Sequence, residues 1–134
     1  MKPFLVDVPV LILFFNRPQQ LSQVFEQVRN ARPSKLFLYQ DGPRSEHDLP
    51  GIKACREVTD QIDWDCEVHR MYQEKNYGCD PSEYISQKWA FSMVDKCIVL
   101  EDMVLVAVNN AIGKMEKDKE EKFGKYGQMF NGLM

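Results

Sequence analysis

Apolar and polar positions alternate in blocks along this chain of 134 residues. The apolar run at residues 8–15 (VPVLILFF) has the length of a strand buried on both faces, and the turn sequence Asn-Arg-Pro closes it. Apolar positions then recur at helical spacing across residues 18–31, and Pro33 ends that predicted helix. The first third of the chain therefore predicts a strand, a helix and the start of a second strand.

The same alternation continues to about residue 100. Residues 35–40 (KLFLYQ) form a second apolar run, and a helical spacing from Ile52 to Ile62 precedes a third predicted strand at residues 66–71. Asp80, Pro81 and Glu83 form a capping-box pattern that predicts a helix from there to about residue 94. A fourth strand is predicted at residues 97–100. This βαβαβαβ order predicts an α/β fold with a parallel sheet flanked by helices and right-handed crossovers.

The last part of the chain has a different pattern. Residues 103–108 (MVLVAV) are apolar, and we expect them to cover the sheet edge near the fourth strand by pairing with the tail or with another chain. A homodimer is therefore one expectation. Residues 109–122 are highly charged, which predicts an exposed helix. The length of the chain predicts one domain over residues 1–134.

Composition narrows the class of protein. A net charge of -3 with 44% hydrophobic and 28% charged residues is typical of a soluble globular protein and argues against general binding to nucleic acid or membrane surfaces. Asp7 and Pro9 interrupt the apolar amino end and no cleavage site follows, so we predict neither a signal peptide nor a membrane span, and a cytoplasmic location. The four cysteines lack C-x-x-C spacing, which predicts reduced, mostly buried thiols rather than a disulfide or zinc framework.

Polar residues follow every predicted strand at its carboxyl end. In chain order they are Asn16 and Arg17, then Asp41 with Gly42, then Asn76 to Gly78, and finally Glu101 and Asp102. Each has a structural explanation as a turn residue, a glycine with positive φ or an acid at a helix start. Ligands bind open parallel sheets at this edge, so polar groups at all four ends favour a binding site.

The residue types indicate nucleotide recognition. Asp41 can accept hydrogen bonds from a base or a ribose, Arg17 can contact phosphate, and adjacent carboxylates can hold a Mg²⁺ or Mn²⁺ ion that bridges a diphosphate. The chain contains neither a Walker A sequence nor G-x-G-x-x-G, which argues against P-loop hydrolysis and dinucleotide binding. His47 and His69 lie in no recognisable nucleophile setting.

Four segments together resemble a known family. The order PVLILFFNRP, LYQDGPR, EKNYG and WAFSMVDKCIVLED is similar to the nucleotide-sugar-binding half of GT-A fold glycosyltransferases, particularly bacterial family 2-like enzymes and their relatives among N-acetylglucosaminyltransferases. The resemblance covers most of residues 8–102 and implies a Rossmann-like sheet that binds a UDP- or GDP-linked sugar for transfer to an unknown acceptor.

The resemblance also implies roles for individual residues. Asn16, Arg17 and Asp41 would contact the nucleoside, and Asn76 would belong to the same nucleotide site. Glu101 would lie on the ribose side. Asp102 would be the acid on the side of a Mn²⁺ or Mg²⁺ ion. No residue is assigned as the catalytic base.

Two departures from the family pattern keep alternatives open. Met103 occupies the place of a third acid, and its thioether is a poor ligand for Mg²⁺ or Mn²⁺. The chain also stops at Met134, where the family would continue into an acceptor-binding half. One alternative is a truncated or degenerate module that binds a nucleotide or a partner without catalysis. Another is a flavodoxin-like or other doubly wound domain without sugar chemistry, which a strand order other than 3-2-1-4 would favour.

Overall fold

A four-stranded parallel sheet forms the centre of the protein. The computed structural model describes residues 2–102. The strands are β1 (Val10–Phe14), β2 (Lys35–Gln40), β3 (Glu67–Tyr72) and β4 (Ile98–Glu101). They pair in the order β3-β2-β1-β4, all parallel. This order is compatible with a Rossmann-like fold. The segments predicted at residues 103–108 and 109–122 lie outside the described residues.

Helices cover both faces of this sheet. They are α1 (Pro18–Ala31), α2 (Leu49–Thr59) and α3 (Cys79–Phe91), and a short 3₁₀ turn (Glu46–Asp48) precedes α2. Helices α1 and α2 pack against each other, whereas α3 packs over β1. The structure thus confirms an α/β fold with a parallel sheet flanked by helices.

The alternation of side chains along the strands divides the core into two layers. Leu11 and Leu13 of β1 join Phe37 and Tyr39 of β2 under Ala90 of α3, and all five are buried. Their sequence neighbours point to the other face, because successive side chains of a strand alternate. There the Gln40 amide donates to the carbonyl oxygen of Ile52 in α2. All five residues of β1 are buried, which explains its continuous apolar sequence.

Strand ends differ slightly from the predicted ones. β1 is shorter than residues 8–15, and it begins after Pro9, which has no N–H for the sheet ladder. β3 and β4 each lie one residue further along the chain than predicted. Glu101 is consequently the last residue of β4 and pairs with Leu13, rather than following the strand.

The prediction of a capping box at Asp80 was wrong. α3 begins at Cys79, with Gly78 as the preceding residue at φ 89° and no side chain capping the helix. The amide N–H of Ser82 donates to the carbonyl oxygen of Gly78 and closes the first turn. Pro81 is tolerated there, because the first N–H groups of a helix have no partner within it. α3 also ends at Phe91, before the predicted residue 94, and α2 ends at Thr59, before Ile62.

All four cysteines are free, in agreement with the prediction of reduced thiols. Their burial is less uniform than predicted, since only Cys55 is fully buried, Cys66 and Cys97 are partly buried and Cys79 is exposed. Within residues 2–102, none of the helices has both the length and the apolar character required to cross a bilayer.

Candidate functional site

The sheet changes direction at β1. The chain proceeds from β1 outward through β2 to β3, and then returns to place β4 on the other side of β1. Crevices at such switch points are where open α/β sheets bind ligands. Asn16 and Arg17 follow β1, while Glu101 and Asp102 end and follow β4. Two of the predicted pairs of site residues therefore flank the switch point.

Residues at both of these strand ends affect the pKa of the Cys55 thiol. This side chain of α2 is fully buried, and burial raises the pKa of its thiol to about 12. The Asp102 carboxylate acts in the same direction, whereas a hydrogen bond from the backbone N–H of Arg17 lowers the pKa. Asp102 is itself only 4% exposed. Residues after β4 and after β1 thus both act on the pKa of this buried thiol, and β1 and β4 are neighbours in the sheet.

The adjacent acids Glu101 and Asp102 turn to opposite layers of the fold. Val99 packs in the layer under α3, and Glu101, two residues further along β4, lies on that same face. Burial raises the pKa of Glu101, and the nearby carboxylates of Glu83 in α3 and of Asp102 raise it further. Asp102, by contrast, lies near Cys55 of α2 on the other face. The two acids thus approach a ligand from different sides.

This arrangement bears on the predicted Mg²⁺ or Mn²⁺ ion. Within residues 2–102, no three His, Cys, Asp or Glu side chains come together in a group that could hold a metal ion. Asp102, the predicted metal ligand, and Glu101 contribute one carboxylate each from opposite faces. The described residues alone therefore do not form a cation site, and we assign no step of the chemistry to a metal.

Asp41 and Asn76 come together as predicted, and they hold a loop in place. Oδ1 of Asp41 accepts hydrogen bonds from the backbone N–H groups of Gly42 (2.9 Å) and Tyr77 (2.9 Å). Oδ2 accepts from the backbone N–H of Gly78 (3.0 Å) and from the Asn76 amide (3.1 Å). Asn76 also donates to the carbonyl oxygen of Gly42 (2.9 Å). The four acceptor positions of this carboxylate are all used within the protein, so a nucleoside contact from Asp41 would share or replace one of them.

Gly42 makes the close approach of this loop possible. A Cβ atom at Gly42 would lie 2.4 Å from the backbone carbon and oxygen of Lys75. The turn after β2 and the loop after β3 are thus in direct backbone contact at the edge of the sheet.

Asp48 organises a second polar network, which the sequence analysis missed. Its Oδ1 accepts from the Asn16 amide (2.8 Å) and from Nη2 of Arg44 (3.0 Å). Its Oδ2 accepts from Nε (3.1 Å) and the backbone N–H (2.8 Å) of Arg44. These bonds from Arg44 are the main reason that the pKa of Asp48 falls to about 2. The Arg44 guanidinium also lies over the ring of Phe15, 5.3 Å from its centroid.

A third polar group closes the carboxyl end of β2. Gln40 is fully buried and donates to the carbonyl oxygens of Phe15 (2.8 Å) and Ile52 (3.1 Å), while its Oε1 accepts from Nε of Arg56 (2.8 Å). The Arg56 guanidinium lies 4.6 Å from the centroid of the Tyr72 ring. The buried Tyr72 hydroxyl has no hydrogen-bond partner among the described residues.

Weak sequence signals existed for these missed residues. Gln40 is a polar residue at the end of an otherwise apolar strand, and Asp48 precedes a Leu-Pro pair that is typical of a helix start. Neither signal identifies the hydrogen-bond partners of Gln40 or Asp48. Asn16 and Asp48 are 32 positions apart in the sequence and meet only because α2 begins beside the turn after β1.

Comparison with known proteins identified no relative of this chain. Neither the protein-family models, nor the curated proteins, nor the solved structures contain a match to this chain.

Proposed function

We propose that this chain is a glycosyltransferase-type domain that binds a nucleoside diphosphate sugar at the carboxyl edge of its sheet. One observation carries the proposal. Arg17 follows β1 and Asp102 follows β4, and these two strands are parallel neighbours at the point where strand order reverses. A cation and a carboxylate are then available at adjacent strand ends, which suits a ligand with phosphates and sugar hydroxyls.

Each predicted residue has a chemical task in this proposal. Arg17 is exposed immediately before α1, so its guanidinium and the positive end of the helix would both face the diphosphate. Glu101 and Asp102 would accept hydrogen bonds from ribose hydroxyls on their two sides. Asn16 would contact the nucleoside, and Asp41 with Asn76 would shape the wall of the pocket through the loop that they hold.

Transfer itself requires more than donor binding. The acceptor oxygen would form a bond to the anomeric carbon as the bond from that carbon to the phosphate oxygen breaks, and the diphosphate would leave with the electron pair. Arg17 would stabilise this departing charge. We assign no described residue to the proton of the acceptor.

Calorimetric titration with UDP, GDP and their sugars, with and without Mn²⁺, tests donor binding. We expect saturable binding of one nucleotide class, and a loss of about tenfold in affinity in R17A, because a charge-assisted contact to phosphate is worth about 1.4 kcal/mol or more. R29A is the matched control, since Arg29 lies in the last turn of the same helix and pairs with Glu26 and Asp63. Absence of saturable binding to all of these nucleotides would overturn the proposal.

A second candidate is a nucleotide-binding module without transferase activity. The divergence of Glu101 and Asp102 to opposite faces favours it, since two acids on one side would be better placed to hold a cation. M103D tests it by supplying the missing acid: nucleotide binding should gain Mn²⁺ dependence in the variant and be insensitive to EDTA in the wild type. Metal-dependent binding by the wild type would instead favour the active transferase.

A further inference from the structure

We propose that Asp48 is a positioning residue of this nucleotide site, which holds the Asn16 amide and the Arg44 guanidinium in fixed orientations toward the ligand. The inference rests on the proposed function and extends it to two residues, Asp48 and Arg44, that the family resemblance does not assign. The site would then include the 3₁₀ turn before α2 as well as the strand ends.

The hydrogen bonds of Asp48 fix the direction of the Asn16 side chain. Oδ1 of Asp48 accepts from Nδ2 of Asn16 at 2.8 Å and from Nη2 of Arg44 at 3.0 Å. Because a carboxylate only accepts, the amide nitrogen of Asn16 must face Asp48, and its carbonyl oxygen points away from Asp48. Within residues 2–102, that oxygen accepts no hydrogen bond. Asn16 thus presents an acceptor in a defined direction.

The same carboxylate fixes a long and flexible side chain. Nε and Nη2 of Arg44 form a fork on Asp48, and the Phe15 ring supports the flat face of the guanidinium at 5.3 Å. Yet the Arg44 side chain is 65% exposed, whereas that of Asp48 is 6% exposed. In the described part of the chain, Nη1 of Arg44 donates no hydrogen bond. Two of the five guanidinium N–H groups are used on Asp48, so Arg44 keeps three N–H donors for a ligand.

This arrangement is more than a surface ion pair. Exposed ion pairs contribute little to stability, and ordering an arginine side chain costs entropy. Here the ordering takes place before any ligand binds, which is how proteins reduce the entropic cost of binding. The location is also specific, because Asn16 precedes Arg17 at the switch point. Gly51 of α2 packs directly against this turn, since a Cβ atom at Gly51 would lie 2.5 Å from the backbone carbonyl oxygen of Asn16.

A double-mutant cycle on nucleotide affinity tests the proposal. Calorimetry would give the dissociation constant of the nucleotide that the wild type binds best, for the wild type, D48N, R44Q and the double variant. We expect about a tenfold loss in each single variant and nearly the same loss in the double variant, because Asp48 acts through Arg44 and Asn16. D63N is the matched control. Asp63 also accepts a hydrogen bond from an arginine, Arg29, but this pair is exposed and lies outside the network. The D63N variant should therefore bind the nucleotide with the affinity of the wild type.

A spectroscopic measurement separates positioning from general stability. In the free protein, D48N should move the NMR signals of the Asn16 side-chain amide and of the Arg44 Nε–H while the signals of the sheet core stay in place. R44K provides a milder variant at an exposed position, since it keeps the charge and loses the fork. R44K should bind the nucleotide as weakly as R44Q. Because Arg44 is exposed, this variant tests the proposal even if D48N folds poorly.

The possible outcomes are distinguishable. If the wild type binds nucleotide and folded D48N or R44K binds it equally well, the positioning role is overturned and the proposed function stands. Additive losses in the double variant would show that Asp48 does not act through Arg44, and would also overturn it. If the wild type binds none of the nucleotides, the proposed function and this extension both fail.

Discussion

Two buried aspartates at the same edge of the sheet show how differently one residue type can act. Asp41 and Asp48 are 8% and 5% exposed, and each carboxylate accepts four hydrogen bonds. Three donors to Asp41 are backbone N–H groups, and the fourth is the Asn76 amide. Three donors to Asp48 belong to side chains, two of them to the Arg44 guanidinium.

The identity of the donors determines what each aspartate controls. Asp41 fixes the course of the main chain, because it holds the loop after β3 against the turn after β2. Asp48 fixes the orientation of side chains that reach toward solvent. Loss of the first should therefore affect folding, and loss of the second should affect mainly the ligand site.

D41A should have the largest effect on stability. Removing the carboxylate leaves three backbone N–H groups and an amide without their acceptor, and a buried group without a partner costs about 1–3 kcal/mol. Some of these donors can form hydrogen bonds with water instead, so the costs do not add in full. We expect a loss of about 3 kcal/mol in the free energy of unfolding, measured by urea denaturation. D48A should lose clearly less stability. An equal or larger loss in D48A would contradict the division of roles.

A pair of glycine substitutions tests the same division through the backbone. In G42A, the new Cβ would lie 2.4 Å from backbone atoms of Lys75, so the loop held by Asp41 must move, at a cost of about 2 kcal/mol. In G51A, the closest atom is the Asn16 carbonyl oxygen at 2.5 Å, but alanine favours the helix there by about 1 kcal/mol.

The two glycine variants should also differ in what they disturb. We expect smaller destabilisation in G51A than in G42A, with NMR shift changes around Asn16 and Arg44 in G51A and around Asn76 and Tyr77 in G42A. Urea denaturation and amide spectra of the two variants provide the measurement. Shift changes in the same loop for both variants would mean that the two networks are not separate.

The sequence predicted elements whose cause is local and missed those whose cause is remote. The bounds of α1 and β2 followed from helical spacing and from a continuous apolar run. The start of α3 did not, because Gly78 owes its position partly to a hydrogen bond with Asp41, 37 positions earlier. Among the predicted site residues, Asn16 and Asp41 were indicated by their positions at strand ends, with turn chemistry as the structural alternative.

Other features of the site required the packed structure. Arg44 and Asp48 were missed because their significance depends on a partner after β1 that only the packing of α2 brings near. The divergence of Glu101 and Asp102 was missed for a related reason. Adjacent acids suggest a common target, but Glu101 lies on the face of β4 that α3 covers, whereas Asp102 follows the strand and acts on Cys55 of α2.

Glu101 extends the comparison to a carboxylate that accepts no side-chain hydrogen bond from the part of the chain that the structure describes, residues 2–102. Burial raises its pKa, and Glu83 and Asp102 raise it further, so the ionised form is disfavoured in the folded state. E101Q should therefore stabilise the protein at pH 7, by less than about 1 kcal/mol because the side chain is only partly buried. The gain should shrink as the pH falls through the raised folded pKa and vanish below the unfolded value of 4.5, where the wild-type residue is protonated in both states.

Thermal unfolding of E101Q and of E74Q, a substitution at an exposed glutamate, would measure this gain against a control. A lower melting temperature for E101Q at pH 7 would show that the fold stabilises the ionised form of Glu101.

The pH dependence of Asp48 is the finest test of the comparison. Its pKa lies at about 2 in the folded protein, against 3.8 for an unperturbed group, mainly because Arg44 donates to it. A group with a depressed pKa stabilises the fold fully above its unfolded pKa, and loses that contribution as the pH falls through the folded pKa. The stability difference between wild type and D48N should therefore be constant from pH 5 to 8 and shrink between pH 3.8 and about 2.

Urea denaturation at a series of pH values measures this difference, with D63N as the control for a more exposed Asp–Arg pair. A difference that already shrinks above pH 5 would mean that Arg44 does not hold Asp48 in its ionised form, and the fork that fixes Arg44 would then be too weak to orient it.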